Sequence, residues 1–334
     1  MVPEKMNVVR LHGPGDLRLH QEAVPRPADG EILLRVTSVG ICGSDLHWYA
    51  EGNIGEVKLT EPVILGHEFA AVTEGGKRVA VDPSIACGVC DICREGNPNL
   101  CEKVVFAGYG KQEGALREYL AWPERVCFPI PSSISDADGV MLEPLGVAIH
   151  AVDLAHLRPE MRVAVLGCGP IGLLILQMVR LLGVRKILAT EILPHRLEAA
   201  RKLGFEDCRL VEPSATQIAG VEPPHVVFEC AGDNGAVETA VNILRPGGKI
   251  ILAGIPPDDR TSFRASVARR KGITFLLVRR MKHTYPRAIE LVETGRIDVR
   301  SLVTHRFPFE RASEAFAAAV KREGIKVVIE MKPS

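Results

Sequence analysis

The chain has 334 residues, with Lys plus Arg and Asp plus Glu at 41 each, so its formal net charge is zero. That balance leaves no electrostatic footprint for DNA, RNA or an anionic membrane, and the length suits two domains, each with its own core. The longest apolar candidate, around "IGLLILQMVRLLG", is interrupted by Arg180, so the chain reads as soluble and cytoplasmic, without a nucleic-acid or membrane partner.

From about Met1 to Pro131, short strand-like runs such as "EILLRVTSVG" and "KRVAVDPSI" alternate with Gly and Pro turn signals, and few long helical periods intrude. Two short motifs lie here. "GICGSDLHWY" and "LGHEFAA" offer Cys42, His67 and Glu68: one sulfur, one nitrogen and one oxygen, a set that can hold zinc while leaving a position open for substrate. Taken singly, Cys42 reads as a small buried hydrophobe, His67 as a satisfied core imidazole and Glu68 as a surface charge. Ser44 is either a proton acceptor beside that cysteine or a helix N-cap, and His47 is a further proton carrier.

The next segment, "CGVCDICREGNPNLC", places Cys87, Cys90, Cys93 and Cys101 within fifteen positions. Adjacent disulfides of this density belong to small secreted domains, and no signal sequence is evident. Four thiolates spaced C-x2-C-x2-C-x7-C instead suit the closed tetrahedral shell of structural zinc. A thiol-redox sensor is the alternative, and it requires exposed thiolates of low pKa. Cys127, Cys168, Cys208 and Cys230 fall in strand or turn contexts and read as structural. Glu143, in "MLEPLGVAIHA", adds a second carboxylate just before the following region, where an interdomain cleft would bring it near Cys42, His67 and Glu68.

After this the rhythm changes. "RVAVLGCG", "KILATE", "HVVFECAG", "KIILAG" and "ITFLLV" are strand-like, and most are separated by helical stretches such as "PHRLEAARKLG" and "GAVETAVNILRPGG", which predicts a parallel sheet covered on both faces. The first of these strands runs into "GCGPIG", residues 167 to 172. Gly167 permits a tight turn, Gly169 lets the backbone approach a pyrophosphate, and Gly172 allows the helix to pack on the strand. Glu191 ends the next strand, nineteen residues after Gly172, where a carboxylate can accept both hydroxyls of an adenosine ribose and repel a 2′-phosphate; its bland reading is a solvated strand end. Arg196 either lies against the adenosine or is a helix-surface cation. The final "VTHRFPFERASEAFAAAVKREGIKVVIEM" reads as strand, helix, strand.

In this order, "GICGSD", "GHE", the four-cysteine loop, "EPLGVAIHA", "GCGPIG", "RPGGKI" and "LVTHRFP" resemble the zinc-containing medium-chain dehydrogenases, the sorbitol (L-iditol) group of polyol dehydrogenases in particular. The resemblance implies an α/β chain with a GroES-like β-rich catalytic domain, 1–145 completed by 283–334, around a Rossmann doubly wound parallel-sheet domain, 146–282. It implies one catalytic zinc on Cys42, His67 and Glu68, with Glu143 contacting the zinc-bound water or the substrate, or acting as an alternative ligand, and one structural zinc on the four-cysteine loop. NAD would contact Gly167, Gly169, Pro170, Ile171, Gly172, Glu191, Arg196, Ala253, Gly254, Ile255, Val278 and Arg280. Arg280 falls at the place of the family's substrate-contacting arginine. A homo-oligomer is implied, tetramer over dimer.

Three departures are visible. The segment after "GHEFAA" is shortened to "VTEGGKRVAV"; Trp48, next to Tyr49, replaces a tyrosine expected near the substrate; and Met281 replaces the one expected after Arg280. The implied reaction is oxidation of a polyol's secondary alcohol, of the sorbitol, xylitol or L-iditol type, to a ketose with NAD. L-threonine 3-dehydrogenase or another secondary-alcohol or diol dehydrogenase is the alternative, and a non-catalytic relic of the fold the remote one.

Overall fold

The structure, a computed structural model, describes residues 2–213 and 215–332. The chain forms two compact units: Met1–Glu143 with Tyr285–Gly295 and Val299–Ser334, and Pro144–Thr284 with Arg296–Asp298.

In the first unit, apolar residues of strand Glu31–Gly40 such as Leu34, Val36 and Val39 are buried, and this strand sits centrally in a seven-stranded sheet. The order is Cys127–Pro129, Arg78–Val81, Glu68–Thr73, Glu31–Gly40, Lys326–Glu330 and Val303–Pro308, with Tyr119–Pro123 pairing to Glu31–Gly40 off that path. Lys326–Glu330 is antiparallel to Glu31–Gly40, with Val328 opposite Gly40 and Ile329 opposite Val39. The end of the chain thereby completes a sheet begun near its start. The shortened segment after "GHEFAA" is a tight reversal in which Thr73 and Lys77 meet across the turn, the Thr73 N–H donating to the Lys77 carbonyl at 2.9 Å. Helix Gly43–Glu51 starts directly after the central strand and stops at Gly52, whose φ of +70° is the left-handed conformation that glycine adopts without penalty.

The second unit is a six-stranded, all-parallel sheet in the order Asp207–Leu210, Lys186–Glu191, Arg162–Leu166, Val226–Glu229, Lys249–Leu252 and Thr274–Leu277. Continuous buried runs such as "VVFE" are what a strand covered on both faces requires. Helices Pro170–Leu181, Pro194–Lys202, Asn234–Ile243 and Ala265–Lys271 lie between successive strands. Strand Arg162–Leu166 has later strands on both sides, so its C-terminal end lies at the point where strand order reverses, the place where such sheets bind ligands. Asp207–Leu210 was not legible as a strand, because "DCRL" has neither an apolar run nor an alternating pattern. Asp298 belongs to this unit through Gln177, which donates to its carbonyl at 3.0 Å and accepts from its N–H at 2.8 Å. No helix among the described residues is long and apolar enough to cross a membrane.

Candidate functional site

The four-cysteine loop folds so that the Sγ atoms of Cys87, Cys90, Cys93 and Cys101 all lie within 4.8 Å of one another. Helix Asp91–Arg94 and the short turn Pro98–Leu100 carry the chain between the ligands. Three of the sulfur separations are 3.5 Å (Cys87–Cys101), 3.9 Å (Cys90–Cys101) and 4.0 Å (Cys87–Cys93). A tetrahedral zinc with bonds of about 2.3 Å demands sulfurs about 3.8 Å apart, so the donor set fits that ion. Backbone N–H groups of Val89 and Cys90 favour the Cys87 thiolate and hold its pKa down to about 6, the protonation state a metal needs.

A second donor set is assembled from two strand ends and a helix start. Cys42 caps helix Gly43–Glu51, while His67 and Glu68 sit where strand Glu68–Thr73 begins beside the central strand; one ligand atom from each lies within 4.8 Å of the others. Asp45, buried, orients the set. Its carboxylate accepts the Cys42 N–H at 3.0 Å and the Gly66 N–H at 3.3 Å, and lies 3.4 Å from His67 Nδ1. That leaves His67 Nε2 as the nitrogen on the Ser44 side, with Ser44 Oγ 3.4 Å away. Burial disfavours a charged His67, but the Asp45 and Cys42 charges outweigh it and raise its pKa well above the usual imidazole value. One sulfur, one nitrogen and one carboxylate fit a zinc that keeps an open coordination position. The N-cap is Cys42 and not Ser44, so the capping reading of the serine falls away.

Two further buried ionisable side chains lie against this set. Glu143 is pushed up to about 8 by burial, with the His67 charge pulling it down and the Glu68 charge pushing it up. Lys326, 2 % exposed on the last strand, donates from Nζ to Glu68 Oε1 at 2.8 Å, to Oε2 at 2.5 Å and to the Ile41 carbonyl at 3.2 Å. Sequence reading missed Lys326. The available signal was a lysine opening an otherwise apolar run, "KVVIE". Trp48 is placed in the core, 2 % exposed and edge-on to Tyr109 at 6.2 Å, and Tyr49 packs on Phe316 at 5.1 Å.

In the second unit, the glycine loop bends where the Arg162–Leu166 strand ends. Gly167 has φ of +99°, and a Cβ on Gly172 would lie 1.9 Å from the Gly167 carbonyl oxygen, so neither position admits a side chain. Helix Pro170–Leu181 opens with proline in its first turn and points its free N–H groups back at the loop. Ile171 follows in that turn. Glu191 is buried rather than solvated: Oε2 accepts the Cys168 N–H at 2.8 Å, and Oε1 accepts from Ile192 at 2.7 Å and Leu193 at 3.1 Å. A Cβ on Gly169 would meet Arg196 Nη1 at 3.5 Å, which places that guanidinium beside the loop. Ala253 and Gly254 donate to the Glu229 carbonyl at 2.8 and 3.0 Å, Val278 donates to Leu252 at 2.9 Å, and Ile255 is exposed. Arg280 adopts a left-handed φ of +55°, a conformation unfavourable for a residue with a Cβ, while Met281 is buried.

Residues 28–132 match the alcohol dehydrogenase GroES-like domain, and residues 170–294 match the zinc-binding dehydrogenase domain. Sorbitol dehydrogenase of Bacillus subtilis (strain 168) is 33% identical over 98% of this chain and 98% of its own. The chain belongs to the zinc-binding dehydrogenases. L-Idonate 5-dehydrogenase of Vitis vinifera is 32% identical, covering 96% of this chain and 93% of its own. The crystal structure of L-idonate 5-dehydrogenase from Escherichia coli has a TM-score of 0.89 at 28% identity, with 98% of each chain covered. As a dehydrogenase of this family the protein is an NAD-dependent alcohol dehydrogenase, with zinc and NAD as cofactors and a small-molecule alcohol as substrate.

Proposed function

We propose that this zinc-binding dehydrogenase oxidises a secondary alcohol within a polyol of the sorbitol, xylitol or L-iditol type to a ketose, reducing NAD. The convergence of Cys42, His67 and Glu68 carries this reading, and the sorbitol dehydrogenase relatives give its substrate class. When bound, zinc supplies Lewis-acid acidification of the alcohol hydroxyl and NAD supplies the hydride acceptor. Cys42, His67 and Glu68 hold the metal, and Asp45 fixes the geometry of the first two. Ser44 Oγ, 3.4 Å from His67 Nε2, relays the hydroxyl proton, accepting it as its own O–H proton is passed on toward solvent, with His47, whose Nδ1 lies 3.2 Å from Glu51, as the further carrier that takes it up. Glu143 hydrogen-bonds a substrate hydroxyl and discriminates against analogues that lack it. The glycine loop and the first turn of helix Pro170–Leu181 would hold the pyrophosphate of NAD, and the one acceptor site left on Glu191, at Oε2, would take an adenosine ribose hydroxyl. Ala253, Gly254, Ile255, Val278 and Arg280 belong to the same cofactor-binding set, and Arg280 and Met281 shape substrate preference, whereas Trp48 is committed to the core.

A second reading follows from Arg280, whose guanidinium can pair with a carboxylate: an alcohol bearing an acid, such as L-idonate or L-threonine. Rates of NADH formation with sorbitol, xylitol, L-iditol, galactitol, butane-2,3-diol, L-idonate and L-threonine separate the two. A polyol should give the highest kcat/KM. An acid turning over far faster than every polyol would replace the first reading with the second, and activity confined to simple alcohols would defeat both.

A further inference from the structure

Lys5–Gly13 and Asp16–Ala23 form an antiparallel hairpin in the first unit, with an irregularity in register between Leu11 and Gly13 where His12 stands. His12 and His20 meet across this hairpin. Their ring centroids are 5.0 Å apart, and the two Nε2 atoms are 2.9 Å apart. At that distance the imidazoles share one proton, one nitrogen donating and the other accepting, and both rings cannot be charged. Anything that binds both lone pairs must therefore be a cation replacing the shared proton.

We propose that His12 and His20 form a bis-imidazole site for a divalent transition metal of the Cu2+ or Ni2+ type. Neither residue belongs to the two cysteine-containing donor sets. The spacing is compatible with that class of metal. With metal–nitrogen bonds of about 2.0–2.1 Å, nitrogens 2.9 Å apart subtend about 90°, the angle between neighbouring ligands in tetragonal coordination. Tetrahedral zinc would ask for nitrogens about 3.4 Å apart. Both side chains are only partly buried, which leaves room for water to complete the shell and for the small ring rotations that aim both lone pairs at one point.

The charges around the pair permit a cation. Arg10 is committed to Glu22 and Glu113, and Arg18 to Asp16, so the two nearest guanidiniums are each matched by carboxylate. Asp16 also acts attractively on His12. Desolvation, then Arg18 and His20, lower the His12 pKa and so favour the uncharged ring that a metal needs. A metal bridging the two strands would also clamp the hairpin, stabilising the folded state in proportion to its occupancy.

The test is titration of Ni2+ into the zinc-replete enzyme, followed by calorimetry and by the thermal melting point, alongside the variants His12→Asn, His20→Asn and the double variant. We expect one Ni2+ per chain beyond the zinc, and at least a tenfold weaker Kd in each single variant. The double variant should be no worse than either single, since removing one imidazole already breaks the chelate. Turnover without added metal should stay at the wild-type level in all three, which confirms their folding independently. Nickel affinity unchanged in both single variants would place the ion elsewhere and overturn the site. Loss in only one variant would show a single-histidine contact and overturn the chelate.

Discussion

Glu229 is almost fully buried at the end of its strand, and burial raises its pKa to about 7 although the N–H groups of Gly232 and Ala231 donate to it. The sign of the consequence is fixed by linkage. The folded state prefers the proton, so this group costs nothing below the ordinary carboxylate pKa of 4.5 and costs progressively more as pH rises to about 7, reaching ~3 kcal/mol. Glu229→Gln mimics the protonated form, and its stability should lack this decline when urea unfolding of the NAD-free enzyme is followed from pH 5 to 8. Glu191 governs a different property. Its charge should exclude the 2′-phosphate of NADP, so kcat/KM should favour NAD and Glu191→Ala should narrow the preference by roughly tenfold. Equal kcat/KM with the two cofactors in the unaltered enzyme would show that Arg196 overrides the carboxylate. Cys42→Ala should remove one zinc and abolish turnover while circular dichroism and the four-cysteine zinc persist. Glu191, Arg196 and Cys42 stand out in the sequence, Glu229 does not, and none shows the state of its environment. Whether Glu191 is solvated, and how far the Glu143 pKa is raised, depends on burial, which is set by side chains distant in the chain.

Elements that hold ions by several sulfurs behave differently from elements that hold one reacting group. The lobe Cys87–Cys101 has little apolar material of its own, with Val89 and Leu100 exposed, so its order depends on the metal. Cys90→Ser should lower the melting temperature by on the order of 5 °C, with zinc content falling by one ion and residual turnover tracking the folded fraction. Complete loss of turnover at full folding would contradict a stabilising role. The glycine loop is limited by space instead. Gly172→Ala forces a Cβ against the Gly167 carbonyl, so strand and helix must separate, at roughly 3 kcal/mol, and NAD affinity should fall with stability in calorimetric titration. Most elements were legible because period and turn chemistry agree with the fold, as in the runs that became Lys186–Glu191, Lys249–Leu252 and Ala312–Val320. Asp207–Leu210 was not, because its place in the sheet comes from pairing with Lys186–Glu191 rather than from its own pattern.

Across the whole chain, Lys326 joins the last strand to the candidate metal site, 258 residues from Glu68 in sequence. Removing one member of a fully buried ion pair leaves the other charge without compensation, and Lys326→Met should destabilise the metal-free protein by about 3 kcal/mol. Lys326→Arg should recover part of that loss in the same unfolding assay. An unchanged unfolding midpoint in Lys326→Met would mean that Glu68 finds another partner or takes up a proton. The sequence by itself determined the class of chemistry, because ligand types, the cysteine spacing and the glycine fingerprint are local properties with few structural solutions. It also determined the parallel-sheet unit, whose apolar strands and intervening helices admit essentially one architecture. Only the tertiary structure decided that Lys326 faces Glu68, that Trp48 belongs to the core, that Asp45 orients both Cys42 and His67, and that two histidines meet across the first hairpin. Each of these depends on strand register and on which face of an element is buried, and a one-residue change of register reverses every side chain without altering the local pattern that sequence reading uses.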